Sequence, residues 1–152
     1  MKIGSAILLV ERFYVHRNLM KEMLQNWYQV LPAVMKESNI PYESRREPDL
    51  FITFDSPDRL KELLDDPKYN ITGAIFNIES FSSSNEDNDR GDLFNDYFSH
   101  IAVPQLTKIV LTSSLPETEA RERYTPAFAD ARTTYLKKPF VTEDLIGIIN
   151  KD

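Results

Sequence analysis

The sequence predicts an α/β fold, a doubly wound parallel sheet of five strands formed by one domain over residues 1–152. Short continuous apolar runs alternate with segments whose apolar residues recur at helical spacing. The runs also lack the apolar–polar alternation of a half-exposed sheet, so they read as strands buried on both faces. Strand, helix and parallel strand in series make right-handed units that wind helices onto both sides of a sheet. A length of 152 residues suits one such core, and no repeat or composition shift marks a second domain.

The elements follow in order. Ala6-Ile7-Leu8-Leu9-Val10 is the first strand. Val15, Leu19, Met23 and Leu24, continued by Trp27, Val30 and Leu31, give the apolar stripe of a helix from about Tyr14 towards Met35, kinked or ended at Pro32. Asn39 to Asp49 is a long polar connector, and Leu50–Phe54 is the second strand. Ser56 and Pro57 suit the N-cap and first position of helix two, whose stripe is Leu60, Leu63 and Leu64 and which stops before Pro67.

Ile71–Ile78 is the third strand, and the acidic, aperiodic stretch Ser82 to Asp92 is an exposed loop. Leu93, Phe94, Tyr97, Phe98 and Ile101 mark helix three; Lys108–Thr112 is strand four. Pro116 to Ala131 is helix four, with weak amphipathicity, and Thr133–Leu136 is strand five. Thr142 opens helix five with part of a capping box, and Leu145, Ile146 and Ile149 form its apolar side.

Composition narrows the chemistry. Eighteen Lys and Arg against 24 Asp and Glu give a net charge of −6, a surface that repels nucleic-acid backbones and anionic lipid. The absence of cysteine excludes disulfides, thiol nucleophiles and thiolate metal sites, and two histidines argue against a histidine zinc site. The N-terminus lacks the apolar length and cleavage site of a signal peptide, and no run approaches the ~18 apolar residues of a membrane span, so the cytoplasm is the expected compartment.

In doubly wound sheets, functional residues gather at the carboxyl ends of the strands. Here those ends carry Glu11-Arg12, Asn77, Thr112 and Lys138. Ile109-Val110-Leu111-Thr112, followed by Thr134-Tyr135-Leu136-Lys137-Lys138-Pro139-Phe140 and the acidic Glu143 and Asp144, resembles the receiver domains of bacterial response regulators. Ile7 to Arg17 is similar to that family's opening strand and first helical turn, and the resemblance spans nearly the whole chain. It implies a flavodoxin-like, CheY-like fold with strand order 2-1-3-4-5.

The resemblance also implies roles. In receivers, an Asp ending strand three accepts a phosphoryl group, acidic residues after strand one help hold Mg²⁺, and a hydroxyl and a Lys contact the phosphoryl oxygens. An aromatic on strand five reports the switch. These roles fall on Asn77 (acceptor), Glu11-Arg12 (acidic pair), Thr112 (hydroxyl), Lys138 (Lys) and Tyr135 (aromatic). Two departures matter. An amide is no anionic nucleophile, and Arg12 places a permanent cation where Mg²⁺ wants carboxylate oxygen. At about 4 Å each unit interaction is worth roughly 1–4 kcal/mol at effective dielectrics of 80 to 20. Glu11 is expected to pair with Arg12, and the pocket to be degenerate.

Other features read plainly. Asn85 to Gly91 has Arg90 where a calcium loop requires Gly, and Arg45-Arg46 is too small a cluster for nucleic acid. His16 and His100 read as surface or satisfied histidines, Trp27 and Tyr28 as packing residues, and Tyr135 as a packed aromatic rather than a moving switch.

The expectation is a pseudo-receiver, not an enzyme, with no cofactor and no metal, binding another signalling protein and neither nucleic acid nor membrane. Its partner face is helix four, strand five and helix five around Tyr135, Lys137 and Phe140, which would also serve a homodimer. The alternatives are a phosphoacceptor using a substitute carboxylate such as Glu79, and a small-anion site at Arg12, Thr112 and Lys138.

Overall fold

A computed structural model describes residues 5–28, 33–34, 49–54, 59–66, 70–81 and 93–149. Among them six strands form one sheet: β1 (Ser5–Val10), β2 (Ala33–Val34), β3 (Asp49–Phe54), β4 (Ile71–Asn77), β5 (Lys108–Ser113) and β6 (Thr133–Lys137). Their order is β2-β3-β1-β4-β5-β6, and every pairing is parallel. The expected count of five is therefore corrected to six. Ala33–Val34, assigned by periodicity to the first helix, instead pairs with Ile52–Thr53 at the sheet edge. Pairing with β3 satisfies backbone groups of Ala33–Val34 that a helix running through a proline would leave unpaired.

Alternate residues of β1, β4 and β5 feed opposite layers. Leu8, Val10, Ala74, Phe76, Ile109 and Leu111 face α2 (Leu60–Asp65), α3 (Phe94–Ile101), α4 (Glu117–Arg123) and α5 (Thr125–Phe128). Ile7, Leu9, Ile75 and Val110 face α1 (Tyr14–Tyr28) and α6 (Thr142–Ile149). The doubly wound architecture follows from this period-two sorting of apolar runs.

α1 presents Met20 and Leu24, one turn apart, to the sheet. The expected stripe is corrected at two places: Val15 is 73% exposed and Leu19 50%. Leu60, Leu63 and Leu64 are buried in α2 as expected, and Arg59 before them makes no side-chain cap. The expected cap at Ser56 and Pro57, the stop at Pro67, the kink at Pro32, the connector with Arg45-Arg46 and the 82–92 loop lie outside the described residues. So do the side chains of Trp27 and Tyr28.

Phe81, fully buried, sits edge-on between Phe76 (ring centroids 6.1 Å) and Phe94 (5.1 Å), and Phe94 meets Tyr124 at 5.5 Å. These aromatic contacts lock α3 onto β4. The single helix expected from Pro116 to Ala131 is two short ones, broken at the non-helical Tyr124, and Pro126 has no N–H to carry the hydrogen-bond ladder across. The Thr125 hydroxyl donates to the carbonyls of Arg121 and Glu122 beside the break. α6 opens at Thr142 as expected, and Asp144 Oδ2 accepts from the Val141 amide at 3.4 Å, one half of a capping box. Among the described residues no helix is long and apolar enough to cross a membrane.

At the amino edge of the sheet, Arg132 staples the connection between α3 and β5. Its guanidinium donates to the carbonyls of Val103 (2.7 Å), Leu106 (2.8 Å) and Ala102 (3.1 Å), and to Asp130 Oδ2 (2.7 Å). The hydrogen bond from Arg132 outweighs burial and holds the Asp130 carboxyl below its usual range. A depressed acid stabilises the fold fully above its unfolded value, near 3.9, and ceases to do so as pH falls through the folded value. Asp130→Asn should therefore be less stable than the parent at pH 7, with the gap closing as pH falls below about 4, as measured by urea midpoints across that range.

Candidate functional site

The period-two sorting also selects which residues meet at the carboxyl edge. Glu11 follows Leu9, Asn77 follows Ile75, Thr112 follows Val110 and Lys138 follows Leu136, each two residues on, so all four belong to the layer facing α1 and α6. Registers Val10↔Phe76, Asn77↔Thr112 and Thr112↔Leu136 bring them side by side. The Lys138 amide donates to the Ser113 carbonyl at 2.8 Å, tying the exit of β6 to β5, and the Lys138–Pro139 bond is cis.

Glu11 is the centre. It has no exposure to water, and a buried carboxylate requires compensating donors. Lys138 Nζ donates to Oε1 in a short contact, and Asn77 Nδ2 donates to Oε2 in another. The Phe13 amide reaches Oε2 at 3.2 Å and the Ser80 hydroxyl at 3.5 Å. Ser80 Oγ in turn accepts from the Arg12 amide at 2.7 Å, which fixes the chain just after β1. His16 Nδ1 lies 2.9 Å from Lys138 Nζ and 3.9 Å from Glu11 Oε1. With Lys138 charged, that nitrogen accepts, which places the ring proton on Nε2.

Asn77 works in two directions. Its Nδ2 faces Glu11, while its Oδ1 accepts from the Glu79 amide at 3.1 Å and caps the turn Ile78–Ser80. An amide supplies a donor and an acceptor at once, whereas an ionised carboxylate only accepts. An aspartate here would set carboxylate against carboxylate.

The receiver resemblance implies Mg²⁺, and the donor set does not fit it. The ion takes hard oxygens in near-octahedral array. Both oxygens of Glu11 are engaged by N–H donors, one an ammonium, and the Asn77 oxygen is turned to a backbone amide. Among the described residues no three His, Asp or Glu side chains gather as a metal site.

Arg12 departs from expectation. Its guanidinium carbon lies over the Phe13 ring, 5.2 Å from the centroid, and it is Lys138 that makes the close ion pair with Glu11. The side chain of a residue immediately after β1 follows the pleat, and Glu11 takes the inward position. Thr112 is fully buried, and among the described residues its hydroxyl has no hydrogen-bond partner. Glu79 points away from the cluster, its Oε1 accepting from Ser113 Oγ (3.1 Å), Ser114 N (2.9 Å) and Ser114 Oγ (2.9 Å).

Tyr135, Lys137 and Phe140 do not share one surface. Tyr135 packs against Phe128 on the α4–α5 side, ring centroids 5.7 Å apart, and its hydroxyl donates to the Leu115 carbonyl. Burial, reinforced by the charges of Glu79 and Glu117, pushes its phenol above the ordinary value despite the hydrogen bond at Ser113. Lys137 is exposed, whereas Phe140 packs on the α1–α6 side. There, with His16, Leu19, Met20, Met23, Lys138 and Pro139, it lines a groove of about 140 Å³. His100 is exposed on α3, far along the chain from these contacts. Sequence reasoning missed Ser80, Ser113 and Ser114; His16, read as a surface or satisfied histidine, is half exposed and lies against Lys138.

A response regulator receiver protein from Sinorhizobium medicae WSM419 superposes with a TM-score of 0.61 at 16% identity, covering 96% of this chain and 91% of that one. The fold is that of a receiver domain. A fusion carrying a yeast Spc42 trimeric coiled coil also matches, with a TM-score of 0.59, 14% identity, and coverage of 98% of this chain and 77% of that one. No family model and no curated protein sequence matches the chain.

Removing one partner of a buried ion pair leaves an uncompensated charge. Lys138→Met should therefore lower stability by about 3–5 kcal/mol. The double variant Glu11→Gln/Lys138→Met should recover most of that loss, as a double-mutant cycle in urea would measure. Additive losses would show that the two charges are not coupled.

Proposed function

We propose that this chain is a pseudo-receiver: a signalling module that acts by binding another protein and takes no phosphoryl group at the position receivers use. It is not an enzyme on this reading, and it uses no cofactor. The supporting observation is the closure of the pocket on itself. Glu11 is held by Lys138 and by the Asn77 amide, so three of the residues at receiver positions, Glu11, Asn77 and Lys138, are satisfied by one another. Phosphoryl transfer depends on charge neutralisation by metal and cations aimed at the transferring group. Here Asn77 offers no anionic oxygen, and Lys138 already neutralises a carboxylate. The five longer strands β3-β1-β4-β5-β6 have the order that the receiver reading requires, with the two-residue β2 as an added edge.

The substitute-acceptor reading, through Glu79, is weakened by the donors already on its Oε1. The small-anion reading has one observation in its favour, the buried Thr112 hydroxyl without a partner among the described residues, and one against it, the engagement of Lys138 with Glu11. We further propose a cytoplasmic setting and a partner, or a second copy, bound on the side of Tyr135 and Lys137.

Incubation with acetyl phosphate and Mg²⁺ followed by intact-mass measurement tests the reading. The expected result is no phosphate adduct. A base-labile acyl phosphate on the chain would overturn it.

A further inference from the structure

The connection from β5 to α4 is gripped from two sides by groups outside the Glu11 cluster. Glu79 is 5% exposed, and its Oε1 collects the hydroxyls of Ser113 and Ser114 and the amide of Ser114. Ser113 Oγ then accepts from the Leu115 amide at 3.1 Å, carrying the grip one residue further. On the other side the Tyr135 hydroxyl donates to the Leu115 carbonyl, while its ring leans on Phe128 of α5. The Glu79 amide is itself held by Asn77 Oδ1, which roots the carboxylate at the end of β4.

Hydrogen bonds to a charged acceptor are shorter and about twice as strong as neutral ones. Three on one buried oxygen leave the Ser113–Leu115 backbone little freedom. We infer that Glu79 is a built-in anionic clamp that fixes the β5–α4 connection, and with it the α4–α5 surface, in one conformation without covalent modification. This goes beyond the pseudo-receiver reading and does not need it, since it stands on the contacts of Glu79 alone. A surface set in this way would present itself to a partner constitutively.

Amide hydrogen exchange in the full chain, read without any phosphodonor, tests the clamp. In Glu79→Ala the amides of Ser114 and Leu115 should exchange about tenfold faster or more, relative to any change at Val110 and Leu111 in the body of β5. Ser114→Ala keeps the carboxylate and alters an exposed position, and should give about a fivefold local increase confined to the same amides. Should Glu79→Ala fail to fold, the Ser114→Ala comparison decides alone. Equal acceleration at all four amides, or none, would overturn the inference. A positive phosphorylation result would leave it standing.

Discussion

Glu11 places a carboxylate, with no exposure to water, where the carboxyl ends of β1, β4, β5 and β6 converge, and its ion pair with Lys138 is the constraint around which the neighbouring side chains are arranged. An isolated buried carboxylate is costly by many kcal/mol, so donors from four other residues are directed at it. Asn77 turns its Nδ2 inward, Phe13 offers its amide, Ser80 its hydroxyl, and His16 receives the remaining reach of the Lys138 ammonium. The pair joins the first strand to the exit of the last, 127 residues apart in the chain, and so draws the two halves of the sheet together at that edge.

Two further clamps act elsewhere on the same scaffold. Glu79 and Tyr135 close on the β5–α4 connection at the carboxyl edge. Arg132 closes on the α3–β5 connection at the amino edge. β5, buried along most of its length between them, is thus fixed at both ends as well as on both faces. On the proposed reading, such a module presents a surface rather than moving one. The exposed large apolar side chains among the described residues, Phe13, Tyr14, Val15, Leu19 and Val141, gather instead on α1 and at the start of α6.

Much of the architecture was legible because apolar runs and helical spacing report burial directly. The strand at Lys108, the helix at Phe94 and the core positions Leu60, Leu63 and Leu64 stand where the pattern puts them. The first helix misled in two ways. Val15 and Leu19 have the right spacing but are exposed, and Met20 takes the packed position ahead of the expected Met23 and Leu24, a difference periodicity alone cannot resolve. The two-residue β2 is too short to carry any pattern. At the site, the strand ends were readable from the alternation of each strand, which is why Glu11, Asn77, Thr112 and Lys138 meet. Which cation would take Glu11 was not readable, because that depends on the pleat after β1 and on the path of the chain at Pro139. The hydroxyls of Ser80, Ser113 and Ser114 were invisible for the same reason, since serines gain meaning only from the carboxylates that tertiary structure brings to them.

The central claim is that Glu11 is neutralised from within and has no free oxygen for a divalent ion. The most direct measurement is a Mg²⁺ titration followed at the backbone amides of Glu11, Asn77 and Lys138 by nuclear magnetic resonance. Unchanged positions for those amides at millimolar-range Mg²⁺, with only weak unsaturated drift on the acidic surface, are predicted. Saturable shifts centred on Glu11 and Asn77, with release of Lys138, would contradict the account.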